Sequence, residues 1–315
     1  MKRWTVPVAA LIAAVILSPA VHAQAFRTYL ASYGMDTNPC SVSAPCRLLP
    51  AALNAVLDKG EIWILDSANF NAGQVDISKN VSILAIPGAT ASIVSAGNFP
   101  AVTISTAGLK VSMRNVVIAN NANNPGTYGI QLNANSELSL EECVFSNMVF
   151  DAVNVNAGKA NVRNSMFREN GNFAVSAYNG ASVNISGSEI FGGYGGVDAQ
   201  NSTAATTTFI NVADSTIANQ SQFGAHAVTG ASTAASRVML TRSTVYGVGS
   251  GATHAGLYAN SLTGTPVIMV ANSAVNGNYI NFSQQNNGVI RTLGNNYIGD
   301  GLAGDTGTLT SFAPR

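Results

Sequence analysis

The sequence predicts an all-β fold, a solenoid of short parallel strands, and three observations support this prediction. One apolar pattern occurs eight times along the chain, each copy alternates apolar with other residues, and the connections are rich in Gly, Asn and Ser. A single coil of such a fold cannot bury its apolar face alone and must stack on the next coil, so a repeated two-residue alternation is typical of it. Helical repeats have a different period.

Each copy of the repeat contains an apolar residue, here called the pivot, and successive pivots are 22 to 30 residues apart. The pivots are Met113, Leu140, Val162, Ile185, Val212, Leu240, Val270 and Leu293. Another apolar residue precedes each pivot by two positions except in the last copy, where this pattern would turn Arg291 inward. A mostly small residue follows three positions after the pivot and a large apolar one five positions after it, such as Ser165 and Phe167. These offsets describe two short strands separated by one bend.

A second apolar ladder follows the first in each copy. Its predicted members are Ile130, Val153, Val175, Val197, Val228, Leu257 and Ile280. Because parallel strands of neighbouring coils lie ~4.8 Å apart, inward residues are expected to form continuous columns. Outward residues are then free to carry function.

The chain is expected to bend again seven residues after each pivot. These positions are Asn120, Asn147, Glu169, Gly192, Asn219, Gly247, Gly277 and Asp300. Asn, Gly and Asp tolerate the left-handed backbone conformation of a tight bend, whereas Glu169 does not fit this preference. We expect a one-residue shift to place Asn170 in the left-handed conformation instead; a functional role for Glu169 is the alternative.

The first 23 residues have the features of a secretory signal peptide, with Lys2 and Arg3 before an apolar run and small residues up to a cleavage site near Ala23 or Ala25. The run is too short to cross a bilayer. We therefore expect a secreted or periplasmic protein without a membrane span. After cleavage, 13 basic and 15 acidic residues remain, which disfavours a nucleic-acid partner.

Export affects the interpretation of the three cysteines. Cys40 and Cys46 lie in the proline-flanked segment NPCSVSAPC, and an oxidising compartment favours a disulfide between them. A zinc half-site is the less favoured alternative, because no second Cys or His pair has ligand spacing. Cys143 occupies the small position of its repeat and is expected to be a buried thiol.

Four segments follow from these patterns. Residues 1–23 are the predicted signal peptide, and residues 24–60 form an N-terminal cap that contains the Cys40–Cys46 loop and a helix near Leu48 to Val56. Residues 61–300 form the solenoid and residues 301–315 a loose C-terminal tail. The helix is expected to cover the open end of the solenoid, which otherwise exposes core and unpaired strand edges.

This repeat pattern resembles the right-handed parallel β-helix proteins of the pectate-lyase-like (pectin-lyase-like) superfamily over roughly Gly60 to Asp300. The segment from Arg27 to Asp66 looks like the leader of exported bacterial β-helix repeat proteins of unassigned function. The resemblance implies a single-stranded right-handed parallel β-helix with an N-terminal capping helix. Enzymes of this superfamily cut or de-esterify acidic polysaccharides, but their motifs are absent: there is no adjacent Asp pair, no Gly-His-Gly and no Arg-x-Pro-x-x-Arg.

Three charged residues, Arg114, Glu141 and Arg163, each follow their pivot by one position and are expected to stack on neighbouring coils. Stacked opposite charges attract, by ~0.2 to 1 kcal/mol per pair, which explains them structurally. The functional alternative is that the two arginines bind a carboxylated sugar.

Glycoside hydrolysis requires two carboxylates on either side of the scissile bond. Asp151 and Asp198 flank the second ladder two coils apart, about 10 Å along the solenoid axis. They are the main catalytic candidates, together with Arg163 and Glu141, and an unrelated structural role is the favoured alternative.

An aromatic or histidine residue precedes nearly every member of the second ladder: Tyr128, Phe150, Phe173, Tyr194, Phe223, His254 and Tyr279. An internal or half-buried column is the favoured interpretation, because apolar area is the main contribution of such rings. An external platform for sugar rings is the alternative, with Tyr128, Phe150, Phe173, Tyr194 and Arg114 as candidate ligand-binding residues. A metal pair of His226 and His254 is a minor alternative, and we predict no metal and no cofactor.

Two functions remain open. The first is a non-catalytic exported scaffold that binds a polysaccharide or cell-surface glycan, and the missing motifs favour it. The second is a lyase or hydrolase that acts on an acidic polysaccharide through an atypical site.

Overall fold

The computed structural model describes residues 24–251, 253–261 and 263–311. The predicted signal peptide therefore lies outside the described residues. Within them, the strands form three long parallel sheets, here named A, B and C in the order in which each coil contributes to them. This confirms the predicted all-β solenoid.

The element bounds are as follows. Sheet A contains Ala25–Leu30, Val56–Ile64, Val81–Ala85, Lys110–Arg114, Glu137–Glu141, Lys159–Arg163, Ser182–Ser186, Thr207–Ala213, Ala235–Thr241, Thr265–Ala271, Val289–Thr292 and Thr310–Ser311. Sheet B contains Ala68–Asn69, Ala91–Ser95, Val116–Asn120, Val144–Ser146, Met166–Arg168, Glu189–Phe191, Thr216–Ala218, Thr244–Tyr246, Ala274–Asn276 and Tyr297–Gly299. Sheet C contains Val75–Asp76, Val102–Ile104, Ile130–Leu132, Val153–Val155, Phe173–Tyr178, Gly195–Asn201, Phe223–Thr229, Ala255–Ser261 and Phe282–Asn286. The helix is Leu49–Ala55.

The predicted pivots stack in register in sheet A from Met113 to Val270, and all are buried. The last coil differs from the prediction. Thr292, not Leu293, pairs with Val270, so the strand is shifted by one residue. Ile290 consequently faces the core, and Arg291 points outward beside Met269, which spares the core an unpaired charge.

Left-handed residues form two columns along the solenoid. One column lies between sheets A and B, two residues after each pivot: Asn115, Glu142, Asn164, Gly187, Asp214, Arg242 and Asn272. The other lies between sheets B and C at seven of the eight predicted bend positions: Asn147, Glu169, Gly192, Asn219, Gly247, Gly277 and Asp300. The eighth, Asn120, is not left-handed and ends the strand Val116–Asn120. The expectation for Glu169 was wrong, because Glu169 itself has a φ of 48° and Asn170 is buried. Asn170 Oδ1 accepts a bond from Met148 N, which keeps Asn170 out of the left-handed position.

The small position after the first bend forms a buried hydrogen-bonded ladder. The backbone N–H of each residue donates to the side-chain oxygen of the equivalent residue in the next coil, as in Ser188 N to Ser215 Oγ at 3.1 Å. The ladder runs through Cys143, Ser165, Ser188, Ser215, Ser243, Ser273 and Asn296. Cys143 is buried as expected, and burial raises the pKa of its thiol to about 11.

The second ladder lies in sheet C and differs from the prediction in two coils. Ala225, not Val228, pairs with Val197, and Phe282, not Ile280, pairs with Leu257. Val228 is half-buried and pairs with Gln200 on the outer face. Ala225 is smaller than most members of the ladder, so the apolar pattern alone favoured Val228, three residues later.

The N-terminal cap contains the predicted helix and disulfide. The helix buries Leu49, Ala52 and Leu53, and it packs against strands of sheets A and C. Cys40 and Cys46 are bonded, with their Cα atoms 4.6 Å apart. An additional strand, Ala25–Leu30, was not expected; it pairs with Val56–Ile64 and becomes the first strand of sheet A.

The described part of the C-terminal segment is attached to the solenoid, unlike the expected loose tail. Thr310–Ser311 pairs with Arg291 and Thr292 in sheet A. Asp305 Oδ1 accepts bonds from the backbone N–H groups of Asn281 and Phe282, at 2.8 and 3.2 Å. These bonds satisfy backbone N–H groups at the start of the last strand of sheet C, which has no further strand beside it.

We expect Ser215→Ala to lower the free energy of unfolding by about 1–3 kcal/mol, because it leaves the buried Ser188 N–H without an acceptor. Ser202→Ala is the matched control, since Ser202 is exposed and its hydroxyl forms no hydrogen bond within the described residues. Urea unfolding of both variants measures the difference. Equal stabilities would contradict a structural role for the ladder.

Candidate functional site

The outer face of sheet C presents a continuous column of polar and aromatic side chains. In register, the column runs Asp76, Thr103, Gln131, Asn154, Ser176, Asp198, His226, Tyr258 and Ser283. A second outer column beside it contains Tyr178, Gln200, Val228, Asn260 and Gln285. The centre of this face, from Asn154 to His226, is the candidate site.

Asp151 lies at the bend before sheet C, and its carboxylate is buried at the edge of the candidate site. Its Oδ2 accepts a bond from Asn154 Nδ2 at 2.7 Å. Its Oδ1 accepts from Asn172 Nδ2 at 2.7 Å and from the backbone N–H of Phe173 at 3.1 Å. Asp151 therefore joins its own coil, through Asn154, to the bend of the next coil, through Asn172 and Phe173. These three bonds hold the carboxylate in place.

Burial raises the pKa of Asp151 to about 6, because the charged form loses its hydration. The bond from Asn154 opposes this increase, and the negative charge of Asp198 adds to it. The charge of Asp198 thus acts on Asp151 across the site. Burial also raises the pKa of Tyr178, and the charges of Asp151 and Asp198 add to the effect.

Asp198 forms a dyad with His226 on the next strand. His226 Nδ1 lies 2.7 Å from Asp198 Oδ1, and Gln200 Nε2 donates to Asp198 Oδ2 at 2.8 Å. The side chain of Asp198 is fully buried, whereas that of His226 is 13% exposed. The dyad orients the imidazole, so its Nε2 is the part of the pair that can contact a ligand.

Two buried polar atoms in the centre of the site have no hydrogen-bond partner among the described residues. They are Asn154 Oδ1 and Ser176 Oγ, and these residues are 3% and 0% exposed. An unpaired buried polar group is costly, so such atoms commonly mark a position that water or a ligand completes.

Aromatic rings surround His226 on the outside of the coil. Its ring is near-parallel to those of Phe173, Phe223 and Tyr258, with centroids 4.6 to 5.5 Å apart. Tyr194 packs edge-on against Phe173 and Phe223. Phe173 and Phe223 belong to a small apolar cluster separate from the main core. Of the predicted internal or half-buried column, the half-buried form is therefore the one observed: the rings cluster outside the coil, and the inner ones are buried by their neighbours.

The remaining candidate aromatics lie nearer the N-terminal end of the same bend. The rings of Tyr128 and Phe150 are 5.4 Å apart, and Phe150 is 44% exposed. Tyr279 is half-buried at the other end of the apolar cluster. His254 contacts Phe223, and its Nδ1 has no hydrogen-bond partner among the described residues.

The charged candidates of sheet A do not join this site. Arg114, Glu141 and Arg163 stack as predicted, but on a different sheet from Asp151 and Asp198. Arg114 binds Glu142 at 3.0 Å and forms a longer ion pair with the expected partner Glu141 at 4.0 Å, so the bend residue is an additional and closer partner. Arg163 is exposed and forms no ion pair within the described residues.

The described residues contain no group of three or more His, Cys, Asp or Glu side chains arranged to hold a metal ion. None of their helices is long and apolar enough to cross a bilayer.

The sequence pattern indicates Asp151 and Asp198 as candidates, but it does not indicate the dyad with His226 or the positions of Asn154, Ser176 and Tyr178 beside them. The sequence nevertheless contains the offset that predicts this dyad, because Asp198 directly follows the ladder residue Val197 and His226 directly follows the ladder residue Ala225. Because Val228 was expected in the ladder instead of Ala225, the predicted register did not place His226 beside Asp198.

A family model described as "Right handed beta helix region" matches residues 100–297, which is more than half of the chain. The chain belongs to the right-handed β-helix family. Its fold is therefore a right-handed parallel β-helix of the pectin-lyase-like type. No protein with a curated description matches the sequence significantly.

Solved structures of this β-helix fold are similar at low identity. Pectate lyase Pel9A matches with a TM-score of 0.65 and 14% identity, over 91% of this chain and 78% of that one. XylC in complex with xylose matches with a TM-score of 0.58 and 9% identity, over 84% and 68% respectively. At these identities the similarity establishes the fold alone.

We expect Asp151 to make stability depend on pH. Its folded-state pKa, about 6, lies above the ordinary value of 3.8, so its contribution is fully present below pH 3.8 and is lost as the pH rises through 6. The full loss corresponds to roughly 3 kcal/mol. In urea unfolding between these pH values, Asp151→Asn should remove this slope, and an unchanged slope would contradict a raised pKa.

Proposed function

We propose that the protein is an exported β-helix that binds a neutral polysaccharide along the outer face of sheet C. The observation that carries the proposal is the composition of this face. Its two columns consist mainly of amides, hydroxyls and aromatic rings, which suit the hydroxyl groups and apolar faces of sugars. The finding that related folds include carbohydrate-active proteins is consistent with this choice.

The charges on sheet C favour a neutral over an acidic ligand. None of its strands contains Lys or Arg within the described residues, and its charged side chains include Asp76 and Asp198. Sheet A, by contrast, contains eight Lys and Arg residues in its strands. A carboxylated sugar on sheet C would meet like charge without a compensating cation.

The length of the face suits an extended ligand. Sheet C has nine strands within the described residues, so its columns extend about 38 Å along the axis. Half-buried side chains such as Gln131, Tyr178, Gln200 and Asn260 remain accessible along the columns. An extended chain of several sugars would contact one such side chain after another.

Binding is the first proposal because the catalytic candidates are covered. Asp151 is 1% exposed and Asp198 is fully buried, so the structure offers a ligand His226 and the flanking aromatics before either carboxylate.

We expect Tyr128→Ala to weaken binding to a neutral polysaccharide about tenfold, or about 1.4 kcal/mol, by removing a stacking surface. Affinity electrophoresis in gels that contain xylan, mannan or glucan measures the change. Tyr246→Ala is the matched control, because Tyr246 is an exposed tyrosine on sheet B, away from the proposed binding face. Equal losses in both variants, or no retardation of the wild type by any polysaccharide, would contradict the proposal.

A second candidate function, hydrolysis of the bound chain, is favoured by one specific observation, the coupled carboxylates with the raised pKa of Asp151. A protonated Asp151 would transfer its proton to the leaving glycosidic oxygen. His226, oriented by Asp198, would take a proton from the water that attacks the anomeric carbon. Asp151 and Asp198 lie about two strand spacings apart along the axis, roughly 10 Å, near the upper limit for an inverting pair, and His226 lies one strand further, so the covering side chains must move for His226 to act.

If the site is hydrolytic, Asp151→Asn and His226→Gln should each lower the release of reducing ends at least a hundredfold, since each removes a proton-transfer group. Asp214→Asn is the control, because Asp214 is an exposed carboxylate in an ion pair on the other side of the coil. Wild-type protein that binds a neutral polysaccharide without releasing reducing ends would leave binding as the function.

A further inference from the structure

Glu169 lies at the bend between sheets B and C, and the fold does not require a glutamate at this position. Asn, Gly or Asp occupies the other left-handed positions of this column. Asn147 and Asn219 hold the same backbone conformation in nearby coils, so the bend itself does not explain a glutamate. The departure from the pattern indicates that this side chain has a role other than shaping the bend.

The carboxylate of Glu169 lies over the backbone of the next coil. A Cβ atom on Gly192 would stand 2.0 Å from Glu169 Oε1 and 2.8 Å from Oε2. The carboxylate therefore occupies space that exists because Gly192 has no side chain. Within the described residues it accepts no hydrogen bond and forms no ion pair, so its charge is available to a ligand.

The carboxylate borders an open cavity of about 510 Å³ at the rim of sheet C. Gly171, Gly192 and Gly193 form part of its floor, and Asn219 and Ser221 lie on the following coil. Tyr194 forms an aromatic wall whose orientation is fixed by edge-on packing against Phe173 and Phe223. The cavity thus combines an aromatic surface, neutral polar groups and one free carboxylate.

No Lys or Arg is among the residues that line the cavity. The sequence contains no Lys or Arg from Glu169 to Ser236, a stretch that includes Glu189, Asp198 and Asp214. The preceding Arg168 points its Nε at Met166 Sδ, 2.8 Å away, and not at Glu169. A cationic group in the cavity would therefore gain a charge-assisted bond without displacing an existing partner.

We propose that this cavity, here called the Glu169 pocket, is a subsite for a protonated amino sugar. The inference rests on the proposed glycan binding and extends the ligand from neutral chains to chains that also contain free amino groups. The ammonium group would donate to the Glu169 carboxylate while the face of the sugar ring packs on Tyr194. The pocket adjoins the aromatic cluster of sheet C through Tyr194, so a chain on sheet C can reach it.

The test compares glucosamine oligomers with N-acetylglucosamine oligomers of equal length by isothermal titration calorimetry at mildly acidic pH. Wild-type protein is expected to bind the free amine at least about tenfold more tightly. Glu169→Gln should bring the two affinities together, because the amide keeps the shape and removes the charge. The wild-type preference should also weaken with added salt and above the pKa of the amine.

Two further variants complete the design. Glu189→Gln, which removes an exposed carboxylate of sheet B one coil later, should keep the preference. Glu169→Asn should abolish it without loss of folding, since Asn147 and Asn219 occupy the equivalent positions.

The possible outcomes separate this inference from the proposed function. Equal wild-type affinity for both oligomers, or a preference that survives Glu169→Gln, would overturn the amino-sugar subsite while binding of neutral polysaccharides on sheet C still stood. Failure of the wild type to bind either oligomer or any neutral polysaccharide would overturn both.

Discussion

The ladder of buried side-chain oxygens between sheets A and B fixes the rest of the structure. At this bend the left-handed residue turns the chain from sheet A to sheet B, and the buried N–H of the small residue that follows points toward the next coil. A serine hydroxyl from the following coil accepts that N–H, and it donates in turn to a carbonyl two residues before it, as Ser215 does to Ala213. A buried donor left without such a partner would cost more than the bond itself contributes.

Because the same bend recurs at the same offset from the pivot, the strands of sheets A and B remain in register. Length differences between coils are absorbed elsewhere, as in the loop before Ile130 and the loop after Tyr246. The strands of sheet C are also in register, so outward residues at equivalent positions of successive coils form columns. Asp198 and His226 form their dyad because stacking places equivalent positions of adjacent coils about 4.8 Å apart.

The outer face of sheet C has a second layer that the solenoid itself does not need. Phe173, Phe223 and Tyr258 cover the dyad and form an apolar cluster outside the main core. Asp198 is fully buried under this cover, whereas His226 and the half-buried side chains remain accessible to a ligand. A protein that served only as a rigid spacer would have no evident need for a carboxylate–imidazole pair under an aromatic cover.

The sequence by itself determined the repeat, seven of the eight pivots, the two bends, the capping helix and the disulfide, because each depends on local offsets or on one residue type. It also identified Asp151 and Asp198. Only the tertiary structure decided the register of sheet C, where Ala225 replaces the expected Val228, since a small residue in a ladder leaves no apolar signal. The tertiary structure also decided that Glu142 is the nearer partner of Arg114. It decided as well that the aromatic rings lie outside the coil. Both outcomes depend on side-chain directions in adjacent coils. Glu169 shows the same division: the sequence identified it as an exception, and the stacking of the next coil placed its carboxylate over Gly192.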